Sequence, residues 1–148
     1  MTTVRRFEVG DAPVVAEMIR RCLREVNSRD YSADIIDRMC AHFTAERIVE
    51  LAAEREMFVA SQDGVVGTVA RDGNKVYTMF VLPETAGTGV GRLLMGHIET
   101  LAAADGHEFM ETGSSISAHG FYQRLGYTDV RTTDTDFGLN YILRKPLR

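Results

Sequence analysis

The sequence predicts a single mixed α/β domain, of the α+β type, in which one mixed sheet is flanked by helices. Three observations lead there. The first third carries apolar residues at helical spacing, the middle carries three β-rich runs separated by Asp-Gly pairs, and the last third alternates helical stripes with strand-like runs. At 148 residues, with 45% hydrophobic and 26% charged side chains, the chain has the size and composition of one domain with a real core, so one domain is expected over residues 1–148.

Taken in order, "VRRFEV" reads as a short strand, and Asp11 then caps a helix in which Val15, Met18, Ile19, Cys22, Leu23 and Val26 share one face. A second helix follows Ser32, with Ile35, Ile36, Met39, Cys40 and Phe43 to one side, and a third follows Thr44 through "AERIVELAAE". "EMFVASQDGVVGTVARDGNKVYTMFVLPE" supplies an antiparallel meander, because Asp63-Gly64 and Asp72-Gly73 fall between its runs and both residues of such a turn must tolerate positive φ. Pro83 ends its last strand. Leu94, Ile98, Leu101 and Ala102 give the next helix a buried face until Gly106, and "HEFMET" after it implies a crossover. A short helix with Ala118, Phe121, Tyr122 and Leu125 ends at Gly126, and "YTDVRT" and "GLNYILRK" complete the order β-α-α-α-β-β-β-α-β-α-β-β.

Composition removes several classes of function. The arginines near the start are followed by no apolar segment, and the longest apolar runs span a few residues, so neither a signal peptide nor a spanning helix is expected and a cytoplasmic protein is. Cys22 and Cys40 lie at apolar helical positions without metal-ligand spacing, which argues for reduced core thiols and no metal site. A net charge of −4 offers no footprint for nucleic acid and mildly favours a cationic substrate.

"VLPETAGTGVGRLL" places Gly87, Gly89 and Gly91 at alternate positions where a helix begins. Glycine costs helix stability, but a helix N-terminus leaves amides unpaired and positively polarised, and glycines let a phosphate reach them. The loop lacks the Gly-Lys-Ser/Thr of a P-loop, and Arg92 stands where the third glycine of GxGxxG would be, so nucleoside triphosphate and dinucleotide readings are weak. A glycine-rich connection with no ligand is the plainer alternative.

With "SSISAHGFYQRLGY" about thirty residues further on, the two segments resemble the signatures of the Gcn5-related N-acetyltransferases, and the element order is similar over essentially the whole chain. The resemblance implies a GNAT-like fold and transfer of an acetyl group from acetyl-coenzyme A directly to a primary amine; a small amine, an amino acid, an antibiotic and a protein lysine all stay open as acceptors, with the short chain favouring a small molecule. Phe80 and Val81 would offer backbone groups to the pantetheine arm, and a backbone N–H near Val81 would polarise the thioester carbonyl. Thr88, Gly89, Val90, Gly91 and Arg92 would hold the pyrophosphate, with Ala86 and Gly87 shaping the entry. The family usually has Arg or Gln at the position of Ala86 and often a basic residue at that of Thr88, so side-chain help to the phosphates is reduced here. Ser115 stands where the family often has Asn, and equally suits a helix N-cap.

Tyr122 is the implied donor to the departing sulfur, although Ala118, Tyr122 and Leu125 also form a packing stripe. Some family members use a Glu on the strand before Pro83; "KVYTMFV" has none, which leaves Glu111 as first candidate for the general base, ahead of Glu84 and His119. Asp30, Asp34, Asp134, Asp136 and Tyr31 are candidates to meet an ammonium group, and each also suits a cap, turn or solvated loop. An acyl-coenzyme-A-binding sensor with little turnover is the alternative function. Dimerisation is common in the family, which leaves a homodimer open.

Overall fold

The computed structural model describes residues 1–147. Seven strands form one sheet in the order β1-β2-β3-β4-β5-β7-β6: β1 (Thr3–Arg6), β2 (Glu56–Ser61), β3 (Val65–Asp72), β4 (Lys75–Val81), β5 (Phe109–Ser114), β6 (Thr128–Thr135) and β7 (Gly138–Pro146). All neighbours are antiparallel except β4 and β5. Adjacent residues of a strand point to opposite faces, and the core divides accordingly. Met57 and Val59 join α1 (Ala12–Glu25), α2 (Ala33–His42) and α3 (Ala45–Glu54) on one face, whereas Phe58 and Ala60 join α4 (Val90–Ala104) and α5 (His119–Arg124) on the other. The element order is the expected one.

Local chemistry explains most boundaries. Ser32 and Thr44 have extended backbones and accept hydrogen bonds from the amides of Ile35 and Arg47, capping α2 and α3 as their sequence implies. Asp11 does not cap α1 with its side chain. It already has helical φ and ψ (−80° and −15°), in a 3-10 turn over Val9–Asp11, so its carboxylate faces back, accepting from the Glu8 amide at 2.8 Å and pairing with Arg5. The two hairpin turns also differ. Asp63 and Gly64 both have positive φ, but in the second turn only Gly73 (φ 60°) does, because Asp72 still pairs with Lys75 and the turn residues are Gly73 and Asn74.

Two irregularities in the sheet open a space. Between the pairs Thr68↔Phe80 and Ala70↔Tyr77, β4 has one residue more than β3, and Thr78 in this bulge adopts φ 53°, an unfavourable conformation for a β-branched residue. Beyond it β4 and β5 part: they pair only at Lys75↔Glu111 and Val76↔Thr112. The rest of β4 therefore presents an unpaired edge toward β5.

Candidate active site

A cavity of about 650 Å³ fills the opening between the parted strands. Residues 77–81 of β4 form one wall, and Thr112, Gly113 and Ser114 of β5 with Phe121 and Tyr122 of α5 form the other. Cys22, Leu23 and Asn27, then Tyr31, Met39, His42 and Phe43, line it from the α1 and α2 side, and Phe137, Leu139 and Asn140 line it from the final hairpin. Gly113 makes room for Asn140, whose amide nitrogen lies 2.7 Å from where a Cβ would stand. Pro83 and Ala86 continue the lining toward α4.

At that end the chain forms a cradle of amides. Gly87 and Gly89 have φ of 81° and 94°, and a Cβ at either would project into open space. The first main-chain bond of α4 runs from the Leu93 amide to the Gly89 carbonyl, and among the described residues none of the amides of Gly87, Gly89, Val90, Gly91 and Arg92 reaches a main-chain acceptor. A helix start with several free amides is suited to an anion. Gly91 has a different reason to be glycine. A Cβ there would lie 2.8 Å from the Phe121 ring and 3.1 Å from the Met79 methyl, so its absence lets α4 press against α5.

Tyr122 faces the cavity from α5 and is buried, the residue being 4% exposed. Burial pushes its hydroxyl up to about 12, and a hydrogen bond with the Thr112 side chain opposes that shift. Phe121 and Tyr127 meet its ring edge-on at centroid distances of 5.2 and 5.6 Å. Across the cavity, the Cys22 thiol donates to the Val81 carbonyl at 3.1 Å, and burial pushes that thiol up to about 11, so it stays a donor.

A family model described as the acetyltransferase (GNAT) domain matches residues 27–142. The chain belongs to the GNAT acetyltransferase family. Peptidyl-lysine N-acetyltransferase YjaB of Salmonella typhimurium is 26% identical over 138 residues, which cover 92% of this chain and 90% of that protein. The crystal structure of a GCN5-related N-acetyltransferase from Rhodopseudomonas palustris matches with a TM-score of 0.90 at 21% identity, over 99% of this chain and 96% of that one. PaiA N-acetyltransferase from Thermoplasma acidophilum, in complex with coenzyme A, matches with a TM-score of 0.80 at 17% identity, over 99% of both chains. The protein is thus an acyl-coenzyme-A-dependent acetyltransferase with the GNAT fold.

The residues present suit coenzyme A. An unpaired strand edge, a cavity and free amides with clear space above Gly87 and Gly89 lie in sequence along one path. Of the cofactor and catalytic residues named from the GNAT resemblance, Phe80, Val81, Ala86, Ser115 and Tyr122 line the cavity. Val90 is buried in the core beneath the loop, and the Thr88 hydroxyl donates to the Thr85 carbonyl at 2.6 Å, steadying the turn. The Arg92 side chain borders a separate recess with Thr2, Val4 and His97, so only its amide faces the cradle's task. Ser115 lines the cavity while its hydroxyl accepts from the Ala118 amide at 3.2 Å, in the turn that leads into α5; the N-cap of α5 is Ala118 itself, so Ser115 is not the cap that its sequence position suited.

The other candidates lie elsewhere. Glu111 sits at the base of the opening, where β4 and β5 still pair; it does not line the cavity, and Arg144 donates to its carboxylate at 2.9 Å. Glu84 pairs with Arg21, and His119 stacks on Tyr141 and bonds Asp129. Asp30, Asp34, Asp134 and Asp136 do not line the cavity either; Asp30 accepts from the Ser117 hydroxyl at 2.7 Å, and Asp34 pairs with Arg38. Tyr31 does line it, its hydroxyl accepting from the Ile116 amide at 2.9 Å. Sequence reasoning missed Asn27, His42, Phe137 and Asn140. Asn140 alone carried a signal, a strand-disfavoured amide between Leu139 and Tyr141. Among the described residues no helix is long and apolar enough to cross a membrane, and no group of three or more His, Cys, Asp or Glu is placed to hold a metal ion.

Proposed function

We propose that the protein transfers the acetyl group of acetyl-coenzyme A directly to a primary amine of a small molecule. The observation that carries the reading is the unpaired edge of β4 leading into the free amides of residues 87, 89, 90, 91 and 92, with Tyr122 on the facing wall. The cofactor supplies an acyl thioester as electrophile. The β4 edge at Phe80 and Val81 pairs with the pantetheine amides as a strand would, an amide at Val81 polarises the acyl carbonyl, and the cradle takes the pyrophosphate.

Tyr122 donates a hydrogen bond to the departing sulfur. With its hydroxyl at about 12 and a thiol near 8.5, handing over the proton runs uphill by about 5 kcal/mol. Tyr122 therefore stabilises the thiolate as a phenol and keeps its own proton. Glu111, tied to Arg144 outside the cavity, is not assigned as base.

The test is release of free thiol from acetyl-coenzyme A across a mixed panel of amines, amino acids, aminoglycosides and, because the Salmonella relative is named for peptidyl-lysine, lysine peptides. Calorimetric titration with coenzyme A runs beside it. Amine-dependent release with micromolar coenzyme A binding supports the reading; no binding overturns it, and binding without turnover on any pool favours a sensor.

A further inference from the structure

The acceptor half of the cavity is aromatic and is lined by no carboxylate, ammonium or guanidinium group among the described residues. Tyr31, His42, Phe43, Tyr77 and Phe137 supply its rings, Leu23 and Met39 its aliphatic surface, and Asn27 and Asn140 its neutral hydrogen-bonding groups. Among the described residues no Asp, Glu, Lys or Arg lines the cavity. Several charges on the same elements are engaged elsewhere, Arg21 with Glu25 and Glu84, Arg24 with Asp37, Glu111 with Arg144, and Asp30 with Ser117, and Asp134 and Asp136 of the final hairpin are exposed and do not line the cavity. The guanidinium carbon of Arg55 lies 3.6 Å from the centre of the Tyr77 ring, so the charge associated with that wall is positive.

An alkylammonium group entering such a space would lose its water with no counter-ion to replace it. Ring faces attract a cation, but by less than an unpaired buried charge costs. It would also have to shed a proton before attacking, and no carboxylate stands there to take it. An amine that is already neutral at physiological pH meets neither obstacle, and its flat apolar body suits the rings.

Building on the acetyltransferase reading above, we infer that the acceptor is an apolar amine of the aromatic-amine class that enters as the free base and so needs no carboxylate of the protein to deprotonate it. The proton balance follows. The nitrogen lone pair forms the N–C bond, the C–S pair leaves with sulfur, and one N–H proton of the amine ends on the thiol, so neutral reactants give neutral products. An alkylammonium acceptor must release one further proton to solvent.

The experiment compares matched amines with the full-length protein and acetyl-coenzyme A: aniline and aminonaphthalene against cyclohexylamine, benzylamine, spermidine, an aminoglycoside and a lysine peptide. Thiol release and proton release are recorded together at pH 7, and calorimetry measures binding of aminonaphthalene to the protein loaded with coenzyme A. The expected result is kcat/KM at least tenfold higher for the aromatic amines, no net proton per turnover, and saturable binding of aminonaphthalene. Equal or faster turnover of any of the alkylamines or of the lysine peptide overturns the inference and leaves the acetyltransferase reading standing. Absence of turnover with the aromatic amines, when coenzyme A binds, also overturns it; absence of coenzyme A binding instead removes the reading on which it rests.

Discussion

Removing one oxygen from Tyr122 separates its two duties. Tyr122→Phe keeps the ring that Phe121 and Tyr127 pack against but loses the donor, so turnover is expected to fall about 100-fold while coenzyme A affinity changes less than twofold. Equal turnover in steady-state assays would make the residue a packing element. The same hydroxyl links stability to pH. Its folded value of about 12 lies above the ordinary 10, so its contribution is complete below pH 10 and is lost as pH rises toward 12, up to about 3 kcal/mol. In urea titrations between pH 8 and 11.5, wild type should therefore lose stability relative to Tyr122→Phe as pH rises. The place of Tyr122 on the cavity wall was legible because it lies inside the second of two motifs carried by one chain. The place of Glu111 outside the cavity was not legible, because the height at which a parallel pair parts is a property of both strands, and neither "KVYTMFV" nor "HEFMET" records it.

The glycines of the loop before α4 behave differently from one another. Gly91→Ala sets a methyl against Phe121 and Met79 and should cost about 1–3 kcal/mol in urea denaturation, with Phe121→Leu in the same chain restoring part of it. Gly89→Asp leaves the packing untouched, since open space lies above that position, but puts a carboxylate beside the free amides; calorimetry should detect no coenzyme A binding. Gly89→Asn, uncharged and tolerant of positive φ, should bind measurably. In β4, Thr78→Asn should relieve the strain of φ 53° and stabilise by about 1 kcal/mol. Caps at Ser32 and Thr44 and the turn at Asp63-Gly64 were readable because one residue type satisfies one local need. The bulge was not: threonine is a strand former, and only the sheet around it imposes the conformation.

Across the whole molecule, the two cores share strands β2 and β3, which send alternate side chains into each. Residues 1–148 should accordingly unfold as one cooperative unit, with calorimetric and circular-dichroism transitions coinciding; two resolved transitions would divide the chain. Most of the architecture was legible from periodicity together with cap and turn residues, since the helices and inner strands had to bury one face; β6, exposed along its length, buries none. The acceptor side of the cavity was hidden for the same reason. Leu23, Met39 and Phe43 occupy the helical stripes that fill the core, and nothing in their spacing separates a residue that seals the interior from one that borders a void.

The parting of β4 from β5 has a mechanical counterpart. Traction applied between β1, near the first residue, and β7, near the last, must cross the sheet, and in the order β1-β2-β3-β4-β5-β7-β6 every strand-to-strand path passes through the β4–β5 junction. That junction is fastened at two residue pairs, whereas β5 and β7 are fastened at six. It is the seam at which the protein should tear under an optical trap, and a pantetheine arm laid along it would be the stitch, raising the rupture force whenever coenzyme A is bound.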